Sequence, residues 1–116
     1  TEESLSQTCS TLVGIRHRFA NIELEDKSNV YNTDLIQALE LGAMIDVAGA
    51  IAVSALERKE SRGSHQRLDF EQRDDDNFLK HSLAYYDVSA DPRIDYRDVI
   101  ITRSQPGERV YGGKQK

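Results

Sequence analysis

The stretch that decides the fold is residues 35–56, LIQALELGAMIDVAGAIAVSAL. At 100° per residue, its large apolar side chains point in three directions: Leu35, Leu39 and Val53; Leu41, Ile45 and Leu56; and Met44, Val47 and Ile51. A helix that is apolar on all sides has to be covered on all sides. We therefore predict a central bundle helix from about residue 33 to residue 62, with more apolar surface than this short chain can shelter.

Small and acidic residues within the same stretch refine this interpretation. A strip of small residues, where a neighbouring helix can approach closely, is formed by Ala38, Gly42, Gly49 and Ala52. Glu40 and Asp46 would be costly inside a bilayer, so the pattern favours a bundle helix and we expect no direct membrane insertion. Because an unpaired buried carboxylate is unfavourable, Asp46 is expected to have a hydrogen-bond partner.

An amphipathic helix is predicted for residues 2–20. One apolar stripe, with spacings of three and four, is formed by Leu5, Cys9, Leu12, Ile15 and Phe19. Thr1 is a suitable N-cap for this helix. Since Cys9 is the one cysteine of the chain, it cannot form an internal disulfide, which indicates a reducing, cytosolic compartment.

After residue 76 the apolar period changes from 3.6 to 2. Two alternating runs, joined by a polar loop that contains Pro92, predict a β-hairpin over about residues 78–102. Residues 103–116 are rich in turn formers and predict an extended tail, with Val110 and Tyr111 as its apolar anchors. The 116 residues are expected to form a single, mainly α domain.

The most charged part of the chain is residues 58–75, RKESRGSHQRLDFEQRDD, with five basic and five acidic residues. Its first half predicts a helix end, with Arg58, Lys59 and Arg62 in the last turn near the negative end of the helix dipole. Gly63 would then take the left-handed conformation that closes many helices.

The same stretch does not match the motifs of enzyme or metal sites. His65 and Asp69 have no nucleophile beside them in the sequence. One cysteine and three scattered histidines match no zinc spacing, and the glycines form neither a dinucleotide nor a phosphate loop. We therefore predict no catalytic, cofactor-binding or metal-binding residue in this chain.

An interface is the remaining interpretation of the charged stretch. Alternating arginines and carboxylates make orientation-fixing contacts with a partner surface. The predicted docking seam consists of Arg62, Gly63, His65, Arg67, Asp69, Arg73 and Asp74. A net charge of −5 repels nucleic acid, so a nucleic-acid partner is not expected.

Several motifs resemble a known family. SNVYNTDLIQALELG (28–42), RKESRGSHQRLD (58–69), RDD (73–75), NFLKHSLAY (77–85) and RVYGG (109–113) are similar, in this order, to the C-terminal domain of the flavoprotein subunit of fumarate reductase and succinate dehydrogenase. The hairpin and the VYGG ending favour these respiratory enzymes, and fumarate reductase slightly over succinate dehydrogenase. The ESRG-x-H part alone is also similar to L-aspartate oxidase, which is one alternative; an independent helical interaction module is another.

The resemblance implies an up-and-down antiparallel helical bundle, similar to a spectrin repeat, in which one further helix precedes residue 1. It also implies a parent subunit that interconverts fumarate and succinate, with covalent FAD bound by domains outside these residues. The implied partners are the flavin-binding and capping domains and an iron-sulfur subunit, at the cytoplasmic face of the inner membrane. For the piece alone, the uncovered apolar helix predicts self-association.

Overall fold

The computed structural model describes residues 1–88 and 91–107. Its elements are helix α1 (Glu2–Phe19), helix α2 (Thr33–Glu57), a short helix α3 (Asp75–Phe78), and strands β1 (Lys80–Tyr85) and β2 (Arg93–Asp98). The two long helices lie side by side and antiparallel, and the strands form a two-stranded antiparallel sheet. The predicted helix-rich fold with a C-terminal hairpin is confirmed. Of the predicted tail, residues 108–116 lie outside the described residues.

Helix α1 begins and ends close to the predicted positions. The Thr1 hydroxyl accepts a hydrogen bond from the Ser4 N–H at 3.4 Å, and Glu2 and Glu3 lie in the first turn, near the positive end of the dipole. The apolar stripe faces α2, but none of its side chains is fully buried. The free Cys9 is half-buried, and this burial raises the pKa of its thiol.

Helix α2 begins where Asn32 Oδ1 accepts a hydrogen bond from the Leu35 N–H at 2.8 Å. It ends at Glu57, so the predicted continuation to residue 62 is wrong. Arg58 leaves the helical conformation, with φ −85° and ψ 102°, and the last turn contains no basic residue. The chain turns away here because long-range hydrogen bonds, described below, hold the following residues against α2 and β1.

The small-residue strip of α2 is the surface on which α1 packs. A Cβ atom added to Gly42 would lie 3.0 Å from the Phe19 ring, so glycine is what lets the two helices approach. Ile45 and Ala52, the buried hydrophobic residues of the described chain, lie along the same side. Asp46 accepts a hydrogen bond from Arg16 Nη2 at 3.0 Å. The close helix contact and the partner for Asp46 are thereby confirmed.

The side of α2 opposite α1 is uncovered. We call this surface the open face; it consists of Ile36, Met44, Val47 and Ile51, which are between 54% and 65% exposed. Helix α2 is long and apolar enough to cross a membrane, a test that core helices of soluble proteins also pass. Its expected absence from a membrane stays a prediction.

The hairpin stands on the carboxyl end of α2. Lys80 pairs with Asp98 at its base and Tyr85 with Arg93 near its tip, within the predicted range. The rings of Phe78 and Tyr96 meet edge to face, with centroids 6.3 Å apart, and the Lys80 ammonium lies 4.3 Å from the Tyr96 centroid. These contacts join α3 to the sheet and put the charged stretch between the helices and the hairpin.

Candidate functional site

Residues 58–75 fold into a compact hydrogen-bonded unit, here called the charged junction. It opens with a tight turn in which the Arg62 N–H donates to the His65 carbonyl at 2.8 Å, and the His65 N–H donates back at 3.0 Å. Gly63 occupies this turn with φ 61°. The left-handed conformation predicted for Gly63 is therefore present, but it serves a two-residue turn and not the end of a helix.

Glu60 lies at the centre of the charged junction and is completely buried. Its carboxylate accepts hydrogen bonds from Arg62 Nε at 2.8 Å and Nη2 at 3.0 Å, from the Asp74 N–H at 2.9 Å, and from Arg58. Burial alone would raise the pKa of Glu60, but these donors outweigh it and the pKa lies below its ordinary value. Glu60 is thus a charged, fully satisfied hub.

The two arginines around Glu60 extend the junction to other elements. Arg58 Nη1 donates to the Phe78 carbonyl at 3.0 Å, and its Nη2 donates to the Lys80 carbonyl at 2.6 Å. Arg62 Nη2 donates to Asp75 Oδ1 at 2.6 Å. Through Arg58 and Arg62, the carboxylate at the end of α2 fixes both α3 and the start of β1.

Arg67 forms a second hub, 2% exposed. Its Nε and Nη2 donate to the two oxygens of Asp69, both at 2.8 Å, and its Nη1 donates to the Ala55 carbonyl at 2.9 Å and the Leu56 carbonyl at 3.1 Å. These carbonyls are among those that a helix end leaves without a partner, so Arg67 caps α2 from a distant part of the chain.

Asp69 connects the Arg67 hub to the other long helix. Its Oδ2 accepts a hydrogen bond from the Glu2 N–H, at the first turn of α1, at 2.6 Å. The hydrogen bonds from Arg67 are the largest influence on the carboxyl group and hold the pKa of Asp69 well below its ordinary value. The amino end of α1 and the carboxyl end of α2 are therefore tied together through one ion pair.

The last residues of the junction organise α3 and the beginning of the tail. Asp74 caps α3, because its Oδ1 accepts a hydrogen bond from the Asn77 N–H at 3.0 Å. Arg73 pairs with Asp75 and donates from Nη1 to the Gly107 carbonyl at 2.9 Å. The path of the chain as far as residue 107 is thus fixed by a side chain of the junction.

The chemistry of the junction is that of structural ion pairs. His65 Nε2 donates to the Arg58 carbonyl at 3.0 Å. This hydrogen bond holds the turn against the end of α2. Within residues 1–88 and 91–107, no group of three or more His, Cys, Asp or Glu side chains is arranged to hold a metal ion. An open groove of about 400 Å³ runs beside the junction and is lined by Arg58, Arg62, Lys80 and His81, together with Phe78, Leu79 and Val99.

The sheet and the glycines of the described residues bear on flavin binding. A dinucleotide fold binds its cofactor at a glycine-rich turn between a parallel strand and a helix. The described sheet contains two antiparallel strands, and the one glycine with positive φ in the described residues is Gly63, in the turn of the charged junction. The residues that the structure describes therefore contain no dinucleotide-binding turn of this kind.

The structure brings the seven predicted seam residues together in one region, but the side chains of several of them form hydrogen bonds and ion pairs within the chain. Arg67 is buried and bonded within the chain, so it has no donor to offer a partner. Arg62 and Arg73 keep partly exposed side chains, 26% and 22%, and a docking role for the seam stays a prediction. Sequence reasoning missed Glu60, the most buried charge; the excess of arginines on both sides of it was the available signal.

Comparison with known protein families gives a direct result. The family described as "Fumarate reductase flavoprotein C-term" matches residues 1–111. The fumarate reductase flavoprotein subunit of Proteus vulgaris is 51% identical over 116 residues, which is 98% of this chain and 19% of that protein. The succinate dehydrogenase flavoprotein subunit of Rickettsia felis is 37% identical, covering 96% of this chain and 20% of that protein.

A solved structure agrees with these relatives. The FrdA chain of a mutant Escherichia coli quinol fumarate reductase superposes with a TM-score of 0.92 at 47% identity, covering 99% of this chain and 20% of that one. Fold and sequence therefore define a helical domain of the kind found at the C-terminal end of these flavoprotein subunits. The chain belongs to the fumarate reductase and succinate dehydrogenase flavoprotein family, and it spans about a fifth of the length of the curated relatives it matches.

Proposed function

We propose that residues 1–116 are the non-catalytic C-terminal domain of a flavoprotein subunit that interconverts fumarate and succinate. In this proposal the domain packs against the flavin-binding part of its own subunit and supports assembly. The observation that carries the proposal is the family match over residues 1–111. The chain corresponds to about a fifth of the length of its relatives. The described residues contain no dinucleotide-binding turn, which supports a reaction centre outside this domain.

Fumarate reductase is the preferred assignment within the family. Relatives named fumarate reductase are 46–51% identical to this chain, whereas those named succinate dehydrogenase are 37–38% identical. We infer from this difference that the parent subunit is of the fumarate reductase type, with covalent FAD bound by the domains outside this chain.

The proposed partners follow from the same assignment. They are the flavin-binding and capping domains of the subunit and an iron-sulfur subunit, in a complex at the cytoplasmic face of the inner membrane. One solved structure of this kind, a quinol-fumarate reductase with menaquinol molecules, superposes on this chain with a TM-score of 0.87 at 46% identity. The carboxylates within α2 support a peripheral position, without insertion of this domain into the bilayer.

The function is tested by expressing the complete reading frame that contains this chain beside residues 1–116 alone. The complete subunit should retain flavin after acid precipitation, as covalent attachment requires, and should oxidise a reduced dye when fumarate is added. Residues 1–116 alone should do neither. Flavin and turnover in the short chain, or their absence from a well-folded complete subunit, would refute the proposal.

The docking seam has its own test in the complete subunit. Arg73→Ala removes a partly exposed guanidinium. Arg93→Ala is the matched control, because the Arg93 side chain is 64% exposed and its contacts, with Asp95 and the Tyr85 ring, lie within the hairpin. We expect the first variant to reduce flavin incorporation and the second to leave it unchanged. Equal flavin content in both variants would contradict a docking role for Arg73.

A further inference from the structure

The loop before α2 presents two apolar side chains to solvent; we call them the Tyr31 tip. Tyr31 is 94% exposed and Val30 is 68% exposed. Tyr31 also has φ 53°, and it is the one non-glycine residue with positive φ in the described part of the chain. Bulky residues rarely adopt this left-handed conformation. A side chain this exposed gains no packing within the chain that would offset the strain. The hydrogen bonds of the surrounding loop must therefore hold the backbone in this conformation.

Hydrogen bonds impose the shape of the loop. Asn32 Nδ2 donates to the Asp26 carbonyl at 2.9 Å and to the Ser28 carbonyl at 3.0 Å, while Asn32 Oδ1 caps α2. The Ser28 N–H donates to Asp26 Oδ1 at 2.8 Å, and the Asp26 N–H donates to Asp34 at 3.3 Å. The backbone at Tyr31 is therefore fixed before any partner arrives, which lowers the entropic cost of docking.

The tip is suited to a concave partner that is joined to this chain. Two side chains cover far less than the roughly 1,200 Å² that stable complexes between separate proteins bury. Such a small contact is effective where the partner is part of the same polypeptide, because covalent linkage supplies a high effective concentration. About four fifths of the relatives' length lies outside the part that this chain matches. Leu35 and Ile36, in the first turn of α2, also have exposed side chains, 44% and 54%.

We propose that the Tyr31 tip is an anchor that inserts into an apolar pocket on the remainder of the flavoprotein subunit. The ring fills the pocket and the phenol hydroxyl meets a hydrogen-bond acceptor at its base, the combination for which tyrosine is enriched in interfaces. This inference rests on the proposed function, since it requires a subunit with further domains.

The first test is tyrosine nitration followed by mass spectrometry of the peptide that contains Tyr31. Tyr31 should be labelled readily in residues 1–116 and should lose this labelling in the complete, flavin-loaded subunit, with the urea-unfolded subunit as the reference for full reactivity. Labelling of Tyr31 in the loaded subunit at the rate seen in the short chain would overturn the inference. Protection that grows with the concentration of the short chain would overturn it too, because a second copy would then cover the tip.

Two variants separate docking from folding. Tyr31→Asn removes the ring but tolerates positive φ, so the short chain should keep its melting temperature while the complete subunit loses stability. Tyr31→Phe keeps the ring and should restore most of that loss. If Tyr31→Asn lowers the melting temperature of the short chain as much as that of the complete subunit, the residue is structural and the inference fails. Flavin content of the same preparations reports on the proposed function separately: a subunit with FAD and an unprotected Tyr31 refutes only the anchor.

Discussion

Arg67 and Asp69 form a two-point ion pair in which Nε and Nη2 each lie 2.8 Å from a carboxylate oxygen, although the arginine is only 2% exposed. The guanidinium also caps the Ala55 and Leu56 carbonyls, and the carboxylate accepts the Glu2 N–H. One ion pair therefore holds the end of α2 and the start of α1 together. Because Ile45 and Ala52 are the buried hydrophobic residues among residues 1–88 and 91–107, such polar ties take a large part in defining the fold there.

Arg67→Lys tests this tie. Lysine keeps the charge but cannot reproduce the planar fork that bonds to Asp69 and to α2 at the same time. We expect a loss of about 2–3 kcal/mol in the free energy of unfolding, since buried donors and acceptors are left without partners. Urea denaturation followed by circular dichroism measures this loss.

The matched control for Arg67→Lys is Arg93→Lys. Arg93 also pairs with an aspartate two residues away, but both side chains are more than half exposed. Exposed pairs contribute about 0–1 kcal/mol, so this variant should unfold almost as the unchanged chain does. Similar losses in the two variants would show that burial of the Arg67 pair is unimportant.

The pH dependence of stability follows from carboxyl groups with lowered pKa values. Glu60 and Asp69 belong to the two hubs, and the pKa values of Asp26, Asp74, Asp75 and Asp95 are lowered as well. A group whose folded pKa is depressed adds stability above its unfolded pKa, and this stability is lost as the pH falls through the folded pKa. We expect a plateau in the free energy of unfolding above about pH 5 and a progressive decline below about pH 4. Denaturant titrations at a series of pH values measure it.

Glu60→Gln assigns part of this pH dependence. The amide is similar in size but cannot compensate the charges of Arg58 and Arg62, so the variant should lose about 3 kcal/mol near neutral pH. Its stability should also decline less steeply in acid. Glu71→Gln, an exposed change in the same stretch, is the control and should behave as the unchanged chain does. An acid profile of Glu60→Gln that stays as steep as before would assign the pH dependence to other groups.

The two long helices and their contact were predictable because the information is local. Apolar spacing defines the stripe of α1, and the small residues Gly42 and Gly49 mark the side on which a neighbour approaches. The need of Asp46 for a partner also followed from its position in an apolar helix. The identity of that partner, Arg16, did not follow from the sequence, because the two residues are 30 positions apart and meet only when the helices dock.

The end of α2 and the charged junction were harder to predict because non-local bonds decide them. Local charge preferences place Arg58 in a helical turn, yet its guanidinium donates to the carbonyls of Phe78 and Lys80, 20 and 22 residues later. Composition shows that arginines and carboxylates are balanced, but it does not show which of them pair inside the chain. The seam was therefore predicted as outward-facing, whereas Arg67 is buried.

Gly42→Ala and Gly14→Ala form a matched pair for the helix contact. Alanine favours helix over glycine by about 1 kcal/mol, so both variants gain in propensity. A Cβ at Gly14 meets nothing within 4 Å, whereas a Cβ at Gly42 would lie 3.0 and 3.2 Å from atoms of the Phe19 ring. We expect Gly14→Ala to raise the free energy of unfolding. The free energy of unfolding of Gly42→Ala should be at least about 1 kcal/mol lower than that of Gly14→Ala, because overpacking costs about 1–3 kcal/mol. Equal gains in thermal unfolding would mean that α1 and α2 are not closely packed at Phe19.

The open face of α2 predicts the behaviour of residues 1–116 in solution. An uncovered apolar surface of this kind favours association, so sedimentation should show a mass that increases with concentration. Val47→Lys puts a charge at the centre of the open face and should restore the monomer without lowering the melting temperature, since Val47 is 59% exposed. Val88→Lys changes a residue of the hairpin that is 82% exposed and should leave the association unchanged.

A chain that remains monomeric at all concentrations, or an equal effect of the two lysines, would contradict association through the open face. Hydrogen exchange of α2, compared between residues 1–116 and the complete subunit, measures directly whether the region around Val47 is covered in the complete subunit.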